Sequence, residues 1–141
     1  MTAVLDLDDE RQAHAAQRLA TEAIAWLTTV TPDGQPQTMP IWFVWEDGEI
    51  LFYSQARSAR NRNLRSNRNV AFHLNDDGRG DDVLSIEGEA RFDPDAIPGG
   101  DNPAFLAKYK SFFDEYGWTG DYYTEHYPHA VRIRPTKFHI A

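Results

Sequence analysis

Residues 25–54 read Ala25-Trp26-Leu27-Thr28-Thr29-Val30-Thr31, then Pro32-Asp33-Gly34-Gln35, then Pro36-Gln37-Thr38-Met39-Pro40-Ile41-Trp42-Phe43-Val44-Trp45, then Glu46-Asp47-Gly48-Glu49, then Ile50-Leu51-Phe52-Tyr53-Ser54. Three β-rich runs are separated here by two four-residue turn signals, each carrying a Gly. This spacing predicts three antiparallel strands joined as a meander. Outward from it, Val70–Leu74 predicts a fourth strand. Asp82–Phe92 predicts a fifth, with Val83, Ser85 and Glu87 alternating against Leu84, Ile86 and Gly88, and Ala130–Ile140, broken at Pro135, predicts a sixth. Ala13, Ala16, Leu19, Ala20, Ala23 and Ile24 recur at helical spacing, so residues 1–23 carry an N-terminal helix that Asp8 or Asp9 can cap. Ser58 can cap a short helix running to Ser66. Asn102-Pro103 opens another, with Phe105, Tyr109, Phe112 and Phe113 on one face and Gly117 as its stop, and Thr119–Tyr127 adds a further one. Residues 103–127 thus form a helical insertion before the last strand. The fold class predicted is mainly β: a single domain over residues 1–141, built as a six-stranded closed or split antiparallel β-barrel with peripheral short helices.

Composition removes several function classes. The chain has 141 residues and no cysteine, so disulfides, Cys-ligated zinc and thiol nucleophiles are excluded. No run of about 18 apolar residues is present, and the start is acidic without an apolar leader, so a soluble cytoplasmic protein is expected. The net charge of −8 argues against nucleic acid as a partner. Its distribution is uneven. Between Gln55 and Leu74 stand Arg57, Arg60, Arg62, Arg65 and Arg68 without an acid, leaving −13 for the rest of the chain.

No G-x-G-x-x-G, Walker A, H-E-x-x-H or G-x-S-x-G motif occurs, and no catalytic side chain or metal site is assigned. His126 and His129 are separated by Pro128, which spoils a shared helical face, and Asp76, Asp77, Asp81 and Asp82 read as a solvated loop. Two segments carry more. Ser54-Gln55-Ala56-Arg57-Ser58-Ala59-Arg60-Asn61-Arg62-Asn63-Leu64-Arg65 sets hydroxyls and an amide at a strand end, then a helix start, then arginines. Free N–H groups at a helix start favour anions, and Arg adds charge-assisted hydrogen bonds. It reads as an anion site or as a solvated basic helix. Met39-Pro40-Ile41-Trp42-Phe43-Val44-Trp45 is apolar with a Pro inside, which suits a sheet edge. Either a flat aromatic ligand lies on it, or it is barrel core plus a dimer seam.

Taken in order, Trp26–Pro36, Pro40–Val44, Leu51–Leu64 and Asn67–Leu74, with Ala107–Lys110 and Val131–Lys137 later, resemble the pyridoxamine-phosphate-oxidase-like superfamily. Within it the chain is similar to the actinobacterial flavin/deazaflavin oxidoreductases, over about residues 20 to 137. The resemblance implies an FMN-binding split barrel and a homodimer with two cofactor sites at the subunit seam. Met39, Pro40, Ile41 and Trp42 match the stretch that contacts the cofactor ring. Ser54 matches a Thr/Ser that reaches the phosphate, with Gln55 beside it. Ser58 and Arg60 match a Ser-x-Lys phosphate pair, Arg60 standing where Lys is usual. Arg62 and Arg65, with Arg57, are the residues for an anionic tail. The residues that hold a substrate phosphate in the vitamin-pathway members are not found, which argues against pyridoxamine phosphate as substrate. The implied function is hydride transfer between bound coenzyme F420 and a small organic substrate. FMN is the alternative cofactor, and a non-catalytic flavin- or haem-binding module is the alternative class.

Overall fold

The structure, a computed structural model, describes residues 1–141. The periodic stretch after Asp9 folds as α1 (Glu10–Thr21), and the Asp9 carboxylate accepts from the N–H groups of Arg11 and Gln12. Seven strands follow: β1 (Ala25–Val30), β2 (Pro36–Ile41), β3 (Val44–Glu46), β4 (Glu49–Ser54), β5 (Asn69–Leu74), β6 (Leu84–Phe92) and β7 (His129–Ile140). They make one antiparallel sheet in the order β2-β1-β5-β6-β7-β4-β3, curled into a half-barrel of split-barrel character. Between them lie α2 (Ala59–Ser66), α3 (Pro103–Lys108), α4 (Lys110–Tyr116) and α5 (Gly120–His126). No helix is long and apolar enough to cross a membrane.

The count is seven, not six, because the expected second strand breaks at Trp42-Phe43. Both hairpins form, β1 with β2 and β3 with β4, yet they stand at opposite edges of the sheet rather than side by side in a meander. The two halves of one chain segment are therefore the two sheet edges, and the junction between them curls the sheet. The side chains there diverge. Phe43 enters the barrel interior and meets Phe72 edge-on, with ring centres 5.1 Å apart. Trp42 packs into the helical layer, stacked on Tyr109 at 4.9 Å. A straight strand could not serve both sites.

Two cores result. Leu27, Ile50, Phe52, Phe72, Ile86, Val131 and Ile133 fill the barrel, while Leu51, Tyr53, Phe105, Tyr109, Phe113 and Tyr123 join the helical insertion to it. β4 feeds both on alternate residues, which is why its run Ile50-Leu51-Phe52-Tyr53 is apolar throughout.

Two other expectations change. β7 is not broken at Pro135: a bulge sets Pro135 opposite Gly88, and the extra residue, Thr136, donates its hydroxyl to the Glu87 carbonyl at 3.1 Å. A bulge lets a strand carry a residue without an N–H. The helix from Pro103 to Gly117 is two, α3 and α4, meeting at Tyr109, whose φ of −106° and ψ of 14° leave helical geometry. Gly117 ends α4 in the left-handed region at φ 70°.

Candidate functional site

β2 is the starting point. Pro36 through Pro40 are all exposed, and only Ile41 is buried. One edge of this strand pairs with β1 and the other is open. Pro36 and Pro40 have no N–H to offer, which suits an edge position. Beside the strand lies a cavity of about 710 Å³, within the usual range for small-molecule sites. Met39, Pro40, Ile41 and Trp42 form one wall, with Ile24 and Gln37, and Trp118, Tyr123 and Tyr127 form another. The third side is the start of α2: Gln55, Ser58, Ala59 and Arg60.

That third side is built by a polar network. Ser58 caps α2, its Oγ accepting from the Asn61 N–H at 3.1 Å. Ser54 Oγ donates to Asn61 Oδ1 at 2.7 Å and lies 3.1 Å from Ser58 Oγ. Asn61 Nδ2 donates to the Gln55 carbonyl at 2.8 Å. Asn63 Nδ2 donates to Thr29 Oγ1 and Gln37 Oε1, both at 2.9 Å, pinning the helix to β1 and β2. The N–H groups of Ala59 and Arg60 have no acceptor in the chain.

Arg60 is the only charged residue lining the cavity. Its guanidinium sits 5.5 Å from the centre of the Phe52 ring, and no carboxylate lies near enough to act on it. Burial lowers its pKa from the ordinary arginine value, with the Tyr123 phenol opposing the shift. A half-buried cation without a partner is a costly arrangement that an anion would relieve.

Seven of the ten residues picked from the sequence therefore meet at one cavity: Met39, Pro40, Ile41, Trp42, Gln55, Ser58 and Arg60. Three do not line it. Ser54 is buried behind Ser58 and Asn61, where it fixes them. Arg62 is exposed on α2 away from the cavity. Arg65 stands over the Phe92 ring at 5.3 Å, in a separate recess with Arg68 and Arg91. The reading missed Asn61 and Asn63, masked by the arginines that alternate with them. It also missed Trp118, Tyr123 and Tyr127, for which the aromatic excess of residues 103–127 was the available signal.

The chain matches the family model described as pyridoxamine 5'-phosphate oxidase over residues 12–98. It belongs to that family. No curated protein matches the sequence. Among solved structures, an F420 reductase is 26% identical, covering 87% of this chain and 94% of that one with a TM-score of 0.64. A FAD-binding protein from Mesorhizobium loti is 18% identical over 89% and 88% of the two chains, with a TM-score of 0.64. The haem storage protein HutZ from Vibrio cholerae is 15% identical over 91% and 92%, also with a TM-score of 0.64. The last two likenesses concern the fold alone. The family's fold thus occurs in proteins named for flavin-type cofactors and for haem.

Proposed function

We propose that this family member is an oxidoreductase that binds coenzyme F420 between β2, the start of α2 and the aromatic wall, as a homodimer in the cytoplasm. The observation that carries this reading is Arg60: an unpaired guanidinium at one end of a flat, apolar, aromatic cavity with no acid in its lining. The donor set fits the group. Met39–Trp42 offers a flat apolar surface to a tricyclic ring, and Ser58, Arg60 and the free N–H groups of Ala59 and Arg60 suit a phosphate. The 26% likeness to an F420 reductase supports the cofactor class. When bound, such a cofactor supplies hydride exchange with an organic substrate. The chain's own residues bind and orient: the Ser54–Asn61–Ser58 network holds the phosphate donors in place, and Trp42, Trp118 and Tyr127 keep water from the ring.

A second reading is FMN in the same cavity. It is favoured by the finding that one arginine, not several, lines the cavity, which is enough for a single phosphate. Arg60 serves either cofactor. A hydrogen bond to a charged group is worth about 1.5–3 kcal/mol, so Arg60→Ala should weaken cofactor binding roughly 10–150-fold. Unchanged affinity in that variant would remove Arg60 from the site.

A further inference from the structure

Tyr123 is 3% exposed, yet its hydroxyl has no hydrogen-bond partner in the chain. Every fully buried side-chain polar atom has a partner, so this unpaired hydroxyl on a buried ring must reach open space, where something other than the chain pairs it. Its neighbours are already committed. The Tyr53 hydroxyl donates to the Ile97 carbonyl at 2.7 Å and accepts from Asn102 at 3.0 Å. The Tyr109 hydroxyl is held by the backbone of Ala23 and Phe43. The Tyr123 ring is sealed on its faces and edges by Tyr127 at 4.5 Å, Phe105 at 5.0 Å, Phe113 at 5.3 Å and Trp42 at 6.1 Å. Gly99 closes a further side, where a Cβ would come within 2.8 Å of the ring. Tyr123 nevertheless lines the cavity, and its hydroxyl is not fully enclosed, so the hydroxyl is the part that the cavity meets.

Arg60 lines the same cavity, near enough to Tyr123 for the two to interact electrostatically, and its guanidinium also has no hydrogen-bond partner in the chain. We infer that Tyr123 is a ligand-binding residue, its hydroxyl and the Arg60 guanidinium gripping one phosphate of the bound molecule from two sides while the start of α2 holds a third. This rests on the cofactor cavity described above and adds to it a residue sixty-three positions downstream of Arg60. Phosphate fits better than a carboxylate. Three separate donor groups line this one cavity, and a tetrahedral anion offers oxygens in three directions, whereas a carboxylate has two in one plane. Burial keeps the Tyr123 phenol protonated far above its ordinary range, so it donates at every working pH.

The test compares wild type, Tyr123→Phe and the exposed control Tyr122→Phe. FMN and riboflavin differ only by the phosphate, so the ratio of their affinities isolates it. Wild type and Tyr122→Phe should prefer FMN strongly, and Tyr123→Phe should lose about tenfold or more of that preference with riboflavin binding unchanged. Inorganic phosphate should raise the melting temperature of wild type more than malonate does, and should raise that of Tyr123→Phe much less. In the unaltered chain, added phosphate should perturb the near-ultraviolet tyrosine absorption. If neither FMN nor riboflavin binds while the phosphate effect still depends on Tyr123, the cofactor reading fails and the phosphate grip stands. An unchanged FMN preference in Tyr123→Phe, equal stabilisation of both variants by phosphate, or no tyrosine signal in wild type would overturn the inference.

Discussion

Lys108 holds its ammonium 3.7 Å from the centre of the Phe43 ring and donates to the Phe43 carbonyl at 2.9 Å. No carboxylate touches it. Burial pulls its pKa down to about 8, with the more distant Glu22 opposing. The unfolded chain, with an ordinary lysine, binds this proton up to about 10.4. Between those values the unfolded state carries more protons, so stability rises with pH. Urea midpoints should therefore increase from pH 8 to 9.5 in wild type, and Lys108→Met should flatten that slope. A wild-type slope of opposite sign would contradict the arrangement. Single residues also show what the sequence could reveal. Ser58 was readable as a helix cap because Ser before a helical stretch has one common use. Asn61 was not readable, because whether an Asn in a basic helix faces solvent or accepts from Ser54 depends on where the helix docks.

The Trp42-Phe43 junction shows the same limit for an element. Alternation and turn residues located every strand but β3 within a few positions, since period-two burial is written into the chain. The break was hidden because an unbroken apolar run is compatible with one long strand or with two short ones serving different cores. The junction is held from outside by the Tyr109 hydroxyl, which accepts from the Phe43 N–H at 2.7 Å. Tyr109→Phe leaves that buried N–H unpaired and should cost about 1–3 kcal/mol in denaturant unfolding; no loss would show the junction needs no such tie. A second contact anchors the aromatic wall. Gly100 and Gly120 touch backbone to backbone, and a Cβ on Gly100 would fall 1.8 Å from the Gly120 carbonyl oxygen. Gly100→Ala must push α5 outward and carry Tyr123 and Tyr127 with it. It should lower the melting temperature and cofactor affinity together, since overpacking of this kind costs about 1–3 kcal/mol. An unaltered melting curve would mean the two segments do not meet.

For the molecule as a whole, β2 exposes Pro36–Pro40 along an open sheet edge, and Met39 keeps 59% of its surface in solvent. Surface of this kind beside a ligand cavity fits a subunit seam. Light scattering at micromolar concentration should return twice the 16.1 kDa chain mass, and a monomer would count against a shared site. The arginine island was legible as a charge pattern, but not which of its members faces the cavity, because that follows from the docking of α2 through Asn61 and Asn63. Arg57 stays exposed between Gln55 and Ser58, which line the cavity, and is the arginine to test for charge that extends beyond it, while Arg62 is exposed away from it. Each exposed pair is worth only about 0.2–1 kcal/mol and is screened by salt. The most direct test of the account is a fluorescence titration of wild type with F420 of differing tail lengths and with FMN, at low and high salt. Binding of F420 should be the tighter, should strengthen with tail length and should weaken with salt more steeply than that of FMN. Tight FMN with no response to F420 would reverse the choice of cofactor, and binding of neither would contradict the account.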